Sequence, residues 1–503
     1  MASSPVPVAQ QISLSLSVEK NAIAPATSAS ASRLERDLKT IREYVDPIVA
    51  PAELPIPIHR RLPPFNICIT RPFARKVESV HRLLDRALVD IVERWYTDDQ
   101  AGFPSRMPLE AHEEDLLQWI NTQSSNDDVG KRTIPRFGDR YGMWRTDFLI
   151  EKGSEAEAKI CEINARIPYN GFFVAGLHEE STRLLGGGKL GFEIPNQYEA
   201  TKKTIRSCFD ETKCLYHIRK MWPGVDSRIF TRDYEQVTGQ DVIHVEPSAL
   251  QVEQDEASPT GWAVYFTPQD SQGQRHKIEQ CTIELFQEEL REIDPRILRQ
   301  LATCCVNDFR NILLLHDKRI LGIVQQELPS LVERKVLDTA EAQVLRNGIA
   351  ETIIPGSDAM KTLLEESSQD PLQRHKYIVK PVRGAACNGI RLGNQLNQEE
   401  WITLLERSTS HALRPSEDAY VVQKLVDHLW CDIVRHEVQS SPEAEKFHLI
   451  GSCHMVNSKL LVFGPWRIGH TVHVGLSKEG MGIVMSCVLR PEDLETMDGR
   501  KEE

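Results

Sequence analysis

The 503-residue chain has no apolar run approaching the ~20 residues that a membrane-spanning helix needs. Residues 1–32 hold no basic stretch leading into an apolar one, so they do not form a secretory signal. Lys20 is their only basic residue, which also argues against a mitochondrial presequence. Basic charge is in deficit: 60 Lys and Arg face 73 Asp and Glu, a net charge of -13. Such a field does not attract nucleic acid or an anionic membrane, so neither is an expected partner. A polyphosphate ligand needs only a local basic pocket, and the charge balance leaves that open. None of the 11 cysteines forms a C-x-x-C pair, which excludes the usual zinc module and a disulfide framework. Reduced thiols and a cytoplasmic location are expected. There is no G-x-S-x-G and no G-x-G-x-x-G, and no G-K-[ST] follows the glycines at 186–188. His316, His454, His470 and His473 lack metal-ligand spacing and read as surface or core histidines.

What is present is the composition of a soluble globular protein, 40% apolar and 26% charged. The length predicts about two to four packed units. Residues 1–32, rich in Ser, Ala and Pro, predict a disordered tail. The segment 33–130 predicts helices and a Pro-rich linker at 50–66. Its longest helix carries the stripe Leu83, Leu84, Ala87, Leu88, Ile91 and Val92. A hairpin dominates 131–195. Strands and helices alternate over 196–300, the pattern of a small parallel sheet. The stretch 301–490 opens helix-rich and closes in antiparallel strands, and 491–503 reads as a tail.

The hairpin "YGMWRTDFLIEKGSEAEAKICEINARIPYNGFF" (141–173) carries the first chemical signal. Side chains alternate faces along a strand. Trp144, Thr146, Phe148 and Ile150 therefore share one face, and Arg145 and Asp147 share the other. Glu162 and Asn164 share a face of the second strand. If the strands pair, one polar face holds all four. Two carboxylates and an amide oxygen are hard ligands suited to Mg²⁺, and an arginine grips phosphate oxygens in a fork. The competing reading is a solvated, salt-bridged surface. Arg166 and Asn170 follow in an otherwise apolar setting.

Further along, "YIVKPVRGAACNGIRLG" (377–393) ends an apolar strand at Lys380 and continues into a loop with Gly384 and Gly389. A buried lysine needs an anion, and the N–H groups of a small-residue loop can form an anion nest. A plain hairpin explains the same string. "YVVQKLVDHLW" (420–430) ends a strand at Gln423 and Lys424, either an adenine-reading hinge or a mere strand end. Lys318 and Arg467 lie beside apolar segments. Arg71 and Arg75 open a helix, either to hold a substrate carboxylate or as a surface helix start.

Taken together, R-x-D, E-x-N, a lysine, "VKP" with its small-residue loop, and "VQK" followed by Trp430 resemble the synthetase module of the glutathionylspermidine synthase family. The resemblance covers roughly 130–180 and 300–480. It implies an α/β (α+β), ATP-grasp-like fold that is circularly permuted, with a small pre-ATP-grasp α/β unit. It implies ATP and Mg²⁺ as cofactors, and small-molecule carboxylate and amine substrates joined as an amide through an acyl phosphate. By the same resemblance Arg145 holds the transferring phosphate, and Asp147, Glu162 and Asn164 bind Mg²⁺. Lys318 and Lys380, with the Gly384–Gly389 loop, grip the ATP phosphates. Gln423 and Lys424 flank the adenine, and Arg467 stabilises the acyl phosphate. Two departures stand out: "RGAACNG" is poorer in glycine than the family's loop, and fifteen positions separate Asp147 from Glu162. No amidase segment precedes the module, so spermidine and glutathione specificity does not carry over. A phosphotransferase on the same scaffold, or a nucleotide-binding protein without turnover, are the alternatives.

Overall fold

In a computed structural model the chain is described over residues 8–16, 21–49, 62–125, 128–140, 142–153, 156–166, 169, 171–190, 192–193, 198–220, 224–268, 275–384, 387–413, 419–434, 444–470, 483–485 and 487–489. Most of the Pro-rich linker (50–61), Asn170, His473 and the 491–503 tail lie outside those residues.

The polar hairpin forms as expected. Strands Met143–Glu151 and Glu157–Asn164 pair antiparallel, with Arg145 opposite Asn164 and Asp147 opposite Glu162. The fifteen-residue separation is therefore strand length rather than a long turn. The ladder slips between Asp147 and Phe148, because Cys161 is an extra residue on the second strand. The first strand also pairs with the long strand Ala444–Val456, which pairs in turn with Trp466–Gly469. These are the middle of a seven-stranded sheet.

One face of that sheet is the core. Phe148 is fully buried and packs edge-on against Trp466 and Phe463. Gly451 lies opposite it, and the Phe148 ring occupies the space a Cβ there would take. Helix Arg71–Glu93 covers this face with its predicted stripe, capped at its start by Thr70. Residues on either side of the expected 130/131 boundary therefore share one core.

A second, four-stranded sheet holds Thr352–Ile353, Tyr420–Lys424, Tyr377–Pro381 and Arg391–Leu392, all antiparallel. The small parallel sheet expected within 196–300 is present, with Leu215–Arg219 between Cys281–Glu284 and Val242–Val245.

The expected disorder of 1–32 is corrected for residues 8–16 and 21–32. Ala9–Leu16 is a strand paired with Asn21–Pro25 on one side and Asn66–Ile69 on the other, and Ala31 opens a helix. Gln11, Ile12, Ser13 and Leu14 are all buried. The signal was the alternation in "QISLSLS", masked by the Ser and Ala around it. The side-chain amide of Gln11 satisfies the Phe65 and Val434 carbonyls, so polar composition here serves buried hydrogen bonding.

Two core histidines make stability pH-dependent. His81 bonds the Val77 carbonyl and Thr146, and His178 bonds the Pro63 carbonyl. Burial pushes both down to about 4 from an ordinary value of 6.5. The unfolded chain thus binds more protons than the folded one between pH 6.5 and about 4, and stability falls as pH drops through that window. Each ring contributes up to about 1.4 kcal/mol per pH unit. Urea unfolding across pH 7.5 to 4.5 is expected to show this loss, and His81→Gln to reduce its slope by about one proton.

Candidate functional site

The face of the central sheet opposite the core looks across a cleft at the four-stranded sheet. Strand alternation places Arg145, Asp147 and Leu149 on this face, and cross-strand pairing brings Glu162, Asn164, Ile450 and Arg467 beside them. From the other side come Ile378, Lys380 and Gln423. The rest of the lining is Ile390, Leu425 and Val426, with Cys161, Cys387, His428 and Lys424.

Asp147 is the hub. It is 3% exposed. Arg145 Nε donates to its Oδ1 at 3.0 Å, and Asn164 Nδ2 donates to its Oδ2 at 3.1 Å. Arg467 Nη2 lies 2.5 Å from the same Oδ2. Burial raises the Asp147 carboxyl, but Arg145 and then Arg467 outweigh it and hold it below the usual range. Glu162 is half-buried and pairs with Lys318 Nζ at 3.0 Å. Lys318 Nζ also donates to the Gly384 carbonyl at 2.7 Å, tying the glycine loop to the platform.

Lys380 reaches the hairpin from the opposite sheet. Its Nζ donates to the Cys161 carbonyl at 3.1 Å and to Gln423 Oε1 at 2.8 Å. Gln423 Nε2 reaches the same carbonyl at 3.3 Å and Thr352 Oγ1 at 2.9 Å. The bulge makes this possible, because it frees the Cys161 carbonyl from the ladder.

Sequence reasoning thus named side chains that converge: Arg145, Asp147, Glu162, Asn164, Lys318, Lys380, Gln423 and Arg467. Lys424 also lines the cleft, its exposed Nζ paired with Glu351 at 3.6 Å. The Gln423 amide is held onto Lys380 and the Cys161 carbonyl. Trp430 lies outside the cleft lining, its ring against His448. Gly389 turns with φ of +71°, and a Cβ there would stand 2.7 Å from Pro381. Arg71 pairs with Glu193 at 2.6 Å on the surface, the plainer of its two readings. Missed altogether were the Cys161 carbonyl, which no residue type signals, and Arg383. Arg383 is held among Asp317, Glu110 and Glu113 just before the glycine loop.

Burial pushes Cys161 up to about 11 and raises Cys387 as well. Both are neutral thiols at pH 7, so neither is a thiolate nucleophile. Among the described residues no group of three or more His, Cys, Asp or Glu is placed to hold a metal. The donors that would hold an ion here are the Asp147 and Glu162 carboxylates and the Asn164 amide, completed by ligand oxygens. That hard donor set fits Mg²⁺, which retains phosphate and water ligands. Three cations line the same space, Lys380, Lys424 and Arg467, and Arg145 and Lys318 reach its Asp147 and Glu162. Asp147 and Glu162 offset two of them, so the cleft suits a polyanion that arrives with its own divalent ion.

Asp147→Asn is expected to remove the carboxylate charge that both Arg145 and Arg467 contact. The loss of stability is about 3 kcal/mol, measurable by urea unfolding without any ligand.

The family profile of the AnkG N-terminal domain matches residues 80–314. The ATP-grasp enzyme ankG of Aspergillus thermomutatus is 30% identical over 481 residues, covering 90% of this chain and 95% of that protein. A glutathione synthetase-like effector from Globodera pallida, solved in its apo form, shares the fold with a TM-score of 0.54 at 10% identity. That match covers 91% of this chain and 97% of the effector. Two facing sheets that enclose a cationic cleft, and identity along nearly the whole chain, lead to one conclusion: the chain belongs to the ATP-grasp enzymes.

Proposed function

We propose that this chain is an ATP-dependent carboxylate–amine ligase that forms an amide through an acyl phosphate and releases ADP and phosphate. The observation that carries the reading is the polar face itself, Asp147, Glu162 and Asn164 against Arg145, Lys318, Lys380 and Arg467. The permuted order of the fold is part of the same proposal. The hairpin of 131–195 precedes the clamp of 301–490, with the small unit at 196–300 between them.

Lys318 and Lys380, with the Gly384–Gly389 loop, hold the ATP phosphates. Gln423 keeps Lys380 aimed, and Gln423 and Lys424 flank the adenine from their strand. Asp147, Glu162 and Asn164 hold Mg²⁺, which neutralises phosphate charge when bound. Arg145 and Arg467, the two guanidinium groups on Asp147, bind the transferring phosphate. The acid's carboxylate oxygen forms a bond to the γ-phosphorus as the bond from phosphorus to the bridging oxygen breaks, giving ADP. The amine nitrogen, having lost a proton to solvent, then bonds the acyl carbon. The carbon–oxygen bond to phosphate breaks, and the nitrogen sheds its remaining extra proton. Positioning and charge neutralisation supply the catalysis, which accounts for a cleft with no thiolate.

The test is ADP release with Mg·ATP across paired acids and amines, with hydroxylamine as a general amine, followed by product mass. An amide lighter by one water than the sum of acid and amine is expected. A phosphorylated acceptor in its place refutes ligation. Glu162→Gln is expected to abolish turnover, and Lys380→Met to lower kcat/KM for ATP by about 100-fold. Full activity in both removes the assigned roles.

A further inference from the structure

Two buried donors beside the platform have no hydrogen-bond partner among the described residues. Arg166 is 4% exposed, and its Nη2 donates to Gln287 Oε1 at 2.8 Å. Its Nε has no hydrogen-bond partner among the described residues. His316 is 5% exposed, and its Nδ1 accepts the Ala165 N–H at 3.3 Å. That acceptance puts the ring proton on Nε2, which also lacks a partner among the described residues. Burial, with Arg166, Lys318, Arg145 and Arg383 nearby, holds His316 well below its ordinary value, so the ring is neutral.

The backbone fixes the two groups together. Ala165 is held from both sides, its N–H by His316 and its carbonyl by Asn307 Nδ2 at 2.7 Å. Arg166 is the next residue. The same segment continues directly from Asn164, so the two donors sit at the end of the polar hairpin. A buried N–H without a partner is costly, and native proteins satisfy most of them.

What satisfies them has to be an acceptor. Both open groups are donors. Lys318, Arg145 and Arg383 lie near His316, and on the Arg166 side Arg383 is balanced by Glu288, Glu113 and Asp317. A carboxylate offers two acceptor oxygens and no donor. An amine in its ammonium form brings only more donors. The phosphates of ATP already have Lys318, Lys380 and the glycine loop.

We propose that Arg166 and His316 seat the carboxylate of the acid substrate, and that this seat distinguishes the acid from the amine. The proposal rests on the ligase reading. It makes both residues binding groups for the acid and leaves nucleotide binding to the residues named above.

The test is thermal unfolding of the full chain with Mg·AMPPNP, alone and with acetate, succinate, glutamate or citrate as the carboxylate probe. In the unaltered protein at least one probe is expected to raise Tm beyond the shift given by Mg·AMPPNP. Arg166→Met and His316→Asn are each expected to weaken that probe's apparent affinity by about tenfold or more while retaining the Mg·AMPPNP shift. His316→Asn supplies an amide oxygen for the Ala165 N–H and removes only the outer donor, so it decides the matter if Arg166→Met does not fold. A probe shift undiminished in His316→Asn overturns the proposal, as does the absence of any probe shift in the unaltered protein. A missing Mg·AMPPNP shift in the unaltered protein refutes the ATP reading instead, and is seen before any carboxylate is added.

Discussion

A single buried carboxylate organises the site. Asp147 receives Arg145, Arg467 and Asn164 at once, on strands that meet only through the central sheet. A pair of guanidinium groups is tolerated in a buried setting because that carboxylate offsets one charge, and the cleft's opening leaves room for an anion to offset the rest. The same contacts satisfy the carboxylate with protein donors on every side.

A second constraint joins the two sheets. The extra residue at Cys161 breaks the hairpin ladder for one position and leaves a carbonyl free. Lys380 and Gln423 converge on it from the opposite sheet. The lysine is therefore aimed before any ligand arrives, by an amide and a carbonyl whose geometry the backbone sets. Such preorganisation is what electrostatic catalysis requires, since charge that is already in place needs no rearrangement during the reaction. The Lys318 contact to Gly384 does the same for the glycine loop.

Much of this was legible in the sequence, for reasons that differ from element to element. Period-two alternation in "WRTDFLI" and "CEIN" fixed which residues share a face, because strand geometry alone decides that. The 3.6-residue stripe of helix Arg71–Glu93 did the same for the core. The strand Ala9–Leu16 was misread because Ser and Gln satisfy buried backbone groups there, while their composition resembles a solvated tail. Gln423 was recognised as a site residue, but its orientation was not. Two acceptors and a donor from three distant segments determine where its amide points.

The sequence by itself determined the chemistry available: hard oxygen ligands, lysines, arginines, and no activated nucleophile. It also determined the faces on which those groups stand, because strand and helix periods are local properties of the chain. Only the tertiary structure decided which groups meet. Asp147 and Arg467 are brought together by the Ala444–Val456 strand between them. Lys380 meets a carbonyl 219 residues away. Arg166 and His316 are joined through the backbone of Ala165. These contacts depend on strand order and on one bulge, which are fixed by packing the whole core rather than by any short stretch of residues.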